Sequence, residues 1–147
     1  MLTIQTDEHF MRQAFRMAER AFEEEETPIG AVVVSNLRII GKGYNQTERL
    51  QDPTAHAEIL AITAACEHLN SKYLSDCTLF VTIEPCPMCA GALRWAQFAR
   101  VVYAAPEPKS GFTRYSPSLL HPRTELSSGV MEAECAGLMQ EFFRKKR

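Results

Sequence analysis

Apolar residues recur along this chain with two periods, and the switching between them marks out the elements. Phe10, Ala14, Met17, Ala18, Ala21 and Phe22 fall at three- and four-residue steps. That spacing predicts an amphipathic helix with Thr6 as its N-cap, Asp7 and Glu8 in its first turn, and the run Glu23 to Glu26 as its solvated end. Pro28 and Gly30 break the pattern. Residues 31–34 and 38–43 then read as two strands joined through Ser35, Asn36 and Leu37, a hairpin. Residues 44–54 are polar and end on Asp52 and Pro53, which predicts a loop feeding a helix whose core face is Ile59, Leu60, Ile62, Thr63, Cys66 and Leu69. The β-branched and aromatic run 78–83 is a third strand, Pro85 and Pro87 restart the chain as a helix through Phe98, and 101–104 is a fourth strand. Strand, helix, strand, helix, strand implies right-handed crossovers and parallel pairing, with helices on both faces of a central sheet. Pro, Gly, Ser and Lys dissolve the pattern over 105–123. Residues 125–130 then look strand-like, and 132–145 form a helix with Cys135, Leu138, Met139, Phe142 and Phe143 on one stripe.

The expected class is therefore α/β, a three-layer sandwich around a mixed sheet of about five strands. With 147 residues and no repeat or linker, residues 1–147 are expected to form a single domain. A hydrophobic share of 46% and a charged share of 23% exclude whole-chain disorder. No apolar run reaches the roughly 18 residues a bilayer crossing needs, and the first residues lack the basic and apolar regions of a signal peptide. A soluble, unexported, cytoplasmic protein is expected.

Charge divides unevenly. Residues 1–99 carry 8 basic and 13 acidic side chains, whereas 100–147 carry 8 and 5. The basic final third is open to a polyanion, although a solvated charged face has the same signature. Five cysteines, an odd number, are scattered except for one Cys-x-x-Cys pair, which argues against a disulfide framework. Cys66, Cys77 and Cys135 fall at core positions and are read as small buried hydrophobes.

Two helix starts concentrate the chemistry: His56-Ala57-Glu58, and Pro85-Cys86-Pro87-Met88-Cys89. Cys86 and Cys89, three apart, share one face of a first helical turn, so both sulfurs can reach one ion at about 2.3 Å. His56 and Glu58 point apart around an ideal helix and converge only on something beyond its N-terminal end. Partial positive charge there favours the ionised thiols and carboxylate. Two Cys and one His, with the fourth position free for water, form the ligand pattern of a catalytic zinc. Such a zinc brings its water's pKa to about 7, and a carboxylate that does not bind the metal, Glu58, can carry protons.

This His-x-Glu and Pro-Cys-x-x-Cys arrangement is the signature of zinc nucleobase deaminases. From about Thr6 to Lys145 the chain resembles the cytidine and purine deaminase superfamily, and within it the bacterial tRNA adenosine deaminases. The resemblance is strongest in Pro28-Ile29-Gly30-Ala31-Val32-Val33-Val34, in Asp52-Pro53-Thr54-Ala55-His56-Ala57-Glu58-Ile59 and in Thr82-Ile83-Glu84-Pro85-Cys86-Pro87-Met88-Cys89-Ala90-Gly91-Ala92. It implies a cytidine-deaminase-like fold and one Zn2+ per subunit held by His56, Cys86 and Cys89. It also implies Glu58 as proton shuttle, Asn45 in contact with the base, and a homodimer with the active site near the interface.

Choice of substrate rests on the C-terminal third. In the free-guanine deaminases of the superfamily an acidic segment follows a Gly-Phe pair, whereas Gly111-Phe112 is followed here by Thr113-Arg114-Tyr115. A basic, aromatic loop suits a single-stranded anticodon loop, where bases stack and phosphates pair with Arg or Lys. Lys109, Arg114, Phe143, Arg144 and Lys145 are the candidate RNA contacts, and the chain closes on Arg144-Lys145-Lys146-Arg147. The expected reaction is adenosine to inosine at the wobble position of tRNA, by attack of zinc-bound hydroxide on C6. Two alternatives stay open: a free purine deaminase of the guanine deaminase type, since Trp95 and Pro87 resemble those enzymes equally, and a non-catalytic zinc-stabilised RNA-binding module.

Overall fold

Residues 3–146 are described by a computed structural model, with side chains from residue 6 onward, Pro117 apart. The first helix, α1, runs Thr3–Glu23. It starts a turn earlier than its polar residues suggest, so Thr6 is not its cap. Asp7 is instead buried, and both its oxygens accept from the Arg100 guanidinium at 2.7 Å, tying α1 to the start of a strand. Strands β1 (Gly30–Ser35) and β2 (Arg38–Tyr44) form the hairpin. Asn36 and Leu37 both have positive φ, the geometry of a two-residue turn whose twist matches the strands.

A short helix, α2 (Thr47–Leu50), interrupts the expected loop. Four residues cannot hold a helix alone. Glu26 supplies the support: its buried carboxylate accepts from the backbone N–H groups of Glu48 at 3.1 Å and Arg49 at 2.7 Å. The neighbouring Glu24 accepts from the Tyr44 hydroxyl at 3.0 Å. The acidic run is therefore not simply a solvated helix end, because two of its four carboxylates clamp the end of β2 and the segment that follows it.

Helix α3 (Ala57–Leu69), β3 (Cys77–Ile83), α4 (Pro87–Ala96), β4 (Arg100–Ala105), β5 (Glu125–Ser128) and α5 (Glu132–Lys145) complete the order. Single 3-10 turns at Phe112–Arg114 and Pro117–Leu119 lie in the stretch the sequence leaves without pattern. Both α3 and α4 end on a left-handed residue, Asn70 and Gln97, whose N–H returns to the last turn.

In the sheet the strand order is β2-β1-β3-β4-β5. Strands β3, β4 and β5 pair in parallel, while β1 is antiparallel to both its neighbours. It follows that β2 and β3 run the same way, and the parallel order expected from the alternation holds with β1 inserted against it. Successive residues face opposite layers. Ala31, Val33, Leu79, Val81 and Val101 pack under α3 and α4, and Val32, Val34, Phe80, Val102 and Ala104 pack under α1 and α5. Among the described residues no helix is long and apolar enough to cross a membrane.

The core face of α3 differs from the expected one. Ala57, Ala61 and Ala65 are buried against the sheet, while Ile59, Leu60 and Ile62 are only half-buried and Thr63 and Leu69 are exposed. Small residues win because α3 lies directly on β2: a Cβ at Gly43 would overlap the Ala57 carbonyl oxygen. The close approach brings the start of α3 to the edge of the sheet and leaves its larger apolar residues only partly covered.

Candidate active site

Helices α3 and α4 start with the candidate ligands themselves at the cap positions. His56 is the N-cap residue of α3 and Cys86 that of α4, both in extended backbone. Pro87 follows Cys86 at the first helical position, where its missing N–H costs nothing. Before His56, Asp52 accepts from the backbone N–H and hydroxyl of Thr54 at 2.8 and 2.7 Å, a tight turn that delivers the histidine to the helix mouth.

His56, Cys86 and Cys89 converge, their ligand atoms lying within 4.8 Å of one another. His56 Nδ1 is 3.6 Å from Cys86 Sγ and 3.5 Å from Cys89 Sγ. A tetrahedral zinc with Zn–S of about 2.3 Å and Zn–N of about 2.05 Å requires N···S separations of about 3.6 Å. The donors fit the ion in kind and in spacing, and three of them leave the fourth position free.

Proton affinities are set by this crowding. In the metal-free cluster the hydrogen bond from Cys89 brings the Cys86 thiol down to about 4, helped by His56. Cys89 is pushed far up by that same bond to Cys86 and by burial. His56 is raised, first by its bond to Cys86. Glu58, 3% exposed, lies against the cluster, and burial pushes its carboxyl up to about 7. A carboxyl poised there both gives and takes protons near neutrality.

Asn45 follows β2 and is buried, its N–H bonded to the Ile29 carbonyl at 3.1 Å. The next residue, Gln46, donates to the Ala55 carbonyl at 3.0 Å, which fastens the Asn45 segment beside His56. The structure thus brings together the three ligand candidates and Glu58, with the Asn45 segment adjoining.

The basic candidates divide. Lys109, Phe143 and Arg144 line one groove of about 950 Å³ with Ala105, Met139 and Lys146, opening at the carboxyl ends of β3 and β4, just ahead of Cys86 in the chain. Phe143 is 47% exposed there, although its stripe position suggested a core anchor; Phe142 alone is buried and packs on Phe22. Arg114 is exposed and donates to the Pro108 carbonyl. Lys145 lies outside the groove, its ammonium 5.2 Å from the centre of the Phe22 ring. Arg147 lies outside the described residues. Lys146, one of the closing run of cations, also lines the groove. The sequence reading overlooked Glu26 and Glu84, buried carboxylates whose partners are backbone N–H groups distant in sequence. No local pattern announces such pairs.

Residues 4–105 match the cytidine and deoxycytidylate deaminase zinc-binding region. The chain is 43% identical over 145 residues to the tRNA-specific adenosine deaminase of Aquifex aeolicus, covering 95% of each. Among solved structures it is similar to one from a study of A-to-I editing by tRNA:A34 deaminases at the wobble position of transfer RNA. That match has a TM-score of 0.83 and 41% identity over 88% of this chain and 98% of the other. A guanine deaminase from Bacillus subtilis is also similar, with a TM-score of 0.67 and 34% identity over 94% of this chain and 74% of that one.

Proposed function

The chain belongs to the cytidine and deoxycytidylate deaminase family, and from that premise we propose that this zinc-dependent deaminase converts adenosine to inosine at the wobble position of tRNA. Residues 1–147 would act as one deaminase domain, in the cytoplasm where that substrate is met. The observation that carries the chemistry is the three-donor cluster with a buried carboxyl of raised pKa beside it. His56, Cys86 and Cys89 would hold the zinc. When bound, the ion supplies acidification of a water at its open position.

Glu58 takes a proton from the attacking water and delivers it to the purine ring nitrogen next to C6. It then takes the second proton of that water, now on the C6 hydroxyl, and gives it to the departing amine, so that adenosine and water give inosine and ammonia. The buried Asn45 amide has no side-chain hydrogen bond to another described residue and is free to orient the base. Lys109, Arg144 and Lys146 offer cations to phosphates along the groove, and Phe143 offers a ring to an unstacked base. Residues 113–115 carry no carboxylate for the N1 and N2 donors of guanine, which favours adenosine over the free-guanine alternative. A zinc-stabilised RNA-binding module without catalysis would have no use for a proton carrier at Glu58.

A homodimer is part of the same proposal. Met88 and Trp95 lie on one face of α4, with Trp95 80% exposed. The Leu74 N–H bonds the Ala96 carbonyl, which brings the exposed Tyr73 to the Trp95 end of that helix. An exposed Trp, Met and Tyr together are the composition of an interface. Inosine content of an adenosine-containing anticodon stem–loop after incubation with the zinc-loaded protein tests the function. Inosine formed with an equal amount of ammonia is expected.

A further inference from the structure

Glu84 opens the two-residue segment between β3 and Cys86, and the deamination chemistry above does not use it. Its carboxylate is buried, yet Oε1 accepts from the backbone N–H of Glu107 at 3.0 Å, and Oε2 from the backbone N–H and hydroxyl of Thr113 at 3.0 and 2.6 Å. All three donors belong to the segment 107–113. The backbone adds two rungs on either side: Glu84 N–H to the Ala105 carbonyl at 2.8 Å, and Phe112 N–H to the Pro85 carbonyl at 2.9 Å. Gly111 completes the fit, because a Cβ there would overlap the Glu84 carboxyl.

We propose that Glu84 is a positioning residue, a latch that sets the 107–115 loop beside the metal cluster in the orientation that binds substrate. A buried carboxylate with three charge-assisted bonds is a stiff connection, since moving the loop would strand both the charge and its donors. The latch also sorts the loop's side chains. Gly111 and Phe112 turn inward, Phe112 into the core shared with Ala57 and Ala90, while Lys109, Arg114 and Tyr115 remain exposed. The hydroxyl of Thr113 is spent on Glu84, so the loop meets its substrate through two cations and a phenol ring. Glu84 touches neither the base nor the reacting water; it acts through the loop, on binding rather than on the chemical step.

That it serves RNA binding rests on the substrate reading above, so the test has two arms. In Glu84→Gln the amide presents donors where the loop presents donors. Amide exchange at Glu107 and Thr113 should accelerate, and KM for an anticodon stem–loop RNA should rise roughly tenfold with kcat within about twofold and zinc content unchanged. Thr113→Val, farther from the metal ligands, should raise KM by about threefold, and Thr113→Ser should restore it. Unchanged KM in both variants with only a lower melting temperature would overturn the proposal, and so would a fall in kcat alone. A wild-type protein inactive on the RNA would count against the substrate reading, and the latch would then stand or fall on the exchange rates.

Discussion

Glu58 and the two cysteines divide the work by proton affinity, and each part can be measured. Glu58→Ala should keep its zinc, since the carboxylate is no ligand, and lose turnover by about 10²- to 10⁴-fold, the worth of a general acid–base group. Cys86→Ser should lose both. Zinc content and turnover of the purified variants decide; a metal-free Glu58→Ala protein that is otherwise folded would reverse the assignment. Proton balance gives a second check. In the apo protein Cys86 is already a thiolate at neutral pH, whereas Cys89, pushed up by its bond to Cys86, still holds its proton. Zinc must displace that proton and any carried by the raised His56, so binding at pH 7 should release about one to two protons and tighten as pH rises. Calorimetry in buffers of different ionisation enthalpy reads the number, and zero would contradict the cluster. Asn45→Ala should cost roughly 1–3 kcal/mol in kcat/KM with little change in melting temperature. At this scale the ligand cluster was legible because cap positions and Cys-x-x-Cys spacing are local. Glu26 and Glu84 were not, because their meaning lies in N–H groups 22 to 29 residues away.

Helix α3 carries His56 and Glu58 on a platform of alanines, so its seat on β2 is a functional quantity. Gly43→Ala would drive a methyl group into the Ala57 carbonyl and lift the start of the helix. A stability loss of about 1–3 kcal/mol, together with weakened zinc retention, is expected. Thermal melting and metal content of this variant check it, and a protein unchanged in both would show the contact to be slack. Periodicity located α1, α3, α4 and α5 because each has a long apolar stripe or a Pro at its start. It misjudged which face of α3 is buried, since size was taken as the sign of burial and the close helix–strand contact admits only small residues. It passed over α2, whose four residues are held by Glu26 rather than by their own propensity, and, although it gave the β1–β2 hairpin, it did not foresee β3 pairing antiparallel with β1. Strand alternation says which residues face which layer, not which strand lies beside which.

For the whole molecule, the uneven charge and the exposed apolar face of α4 make separate statements. Trp95→Glu should convert a dimer to monomers in sedimentation, and a wild-type protein monomeric at micromolar concentration would remove that part of the proposal. If the groove meets RNA, substituting Ala for Lys109 and Arg144 together should flatten the slope of log affinity against log salt by about 1.4, at roughly 0.7 per phosphate contact on a single strand. Identical slopes would leave those cations as solvated surface. The central claim is narrower than either: a zinc-bearing site that deaminates adenosine within tRNA. The zinc-loaded protein should be incubated in parallel with tRNA carrying a wobble adenosine, with free adenosine and with free guanine, following ammonia and the deaminated product of each. Inosine at the wobble position with matching ammonia, and none from guanine, is the predicted result; ammonia from guanine with the tRNA left unedited would contradict the account.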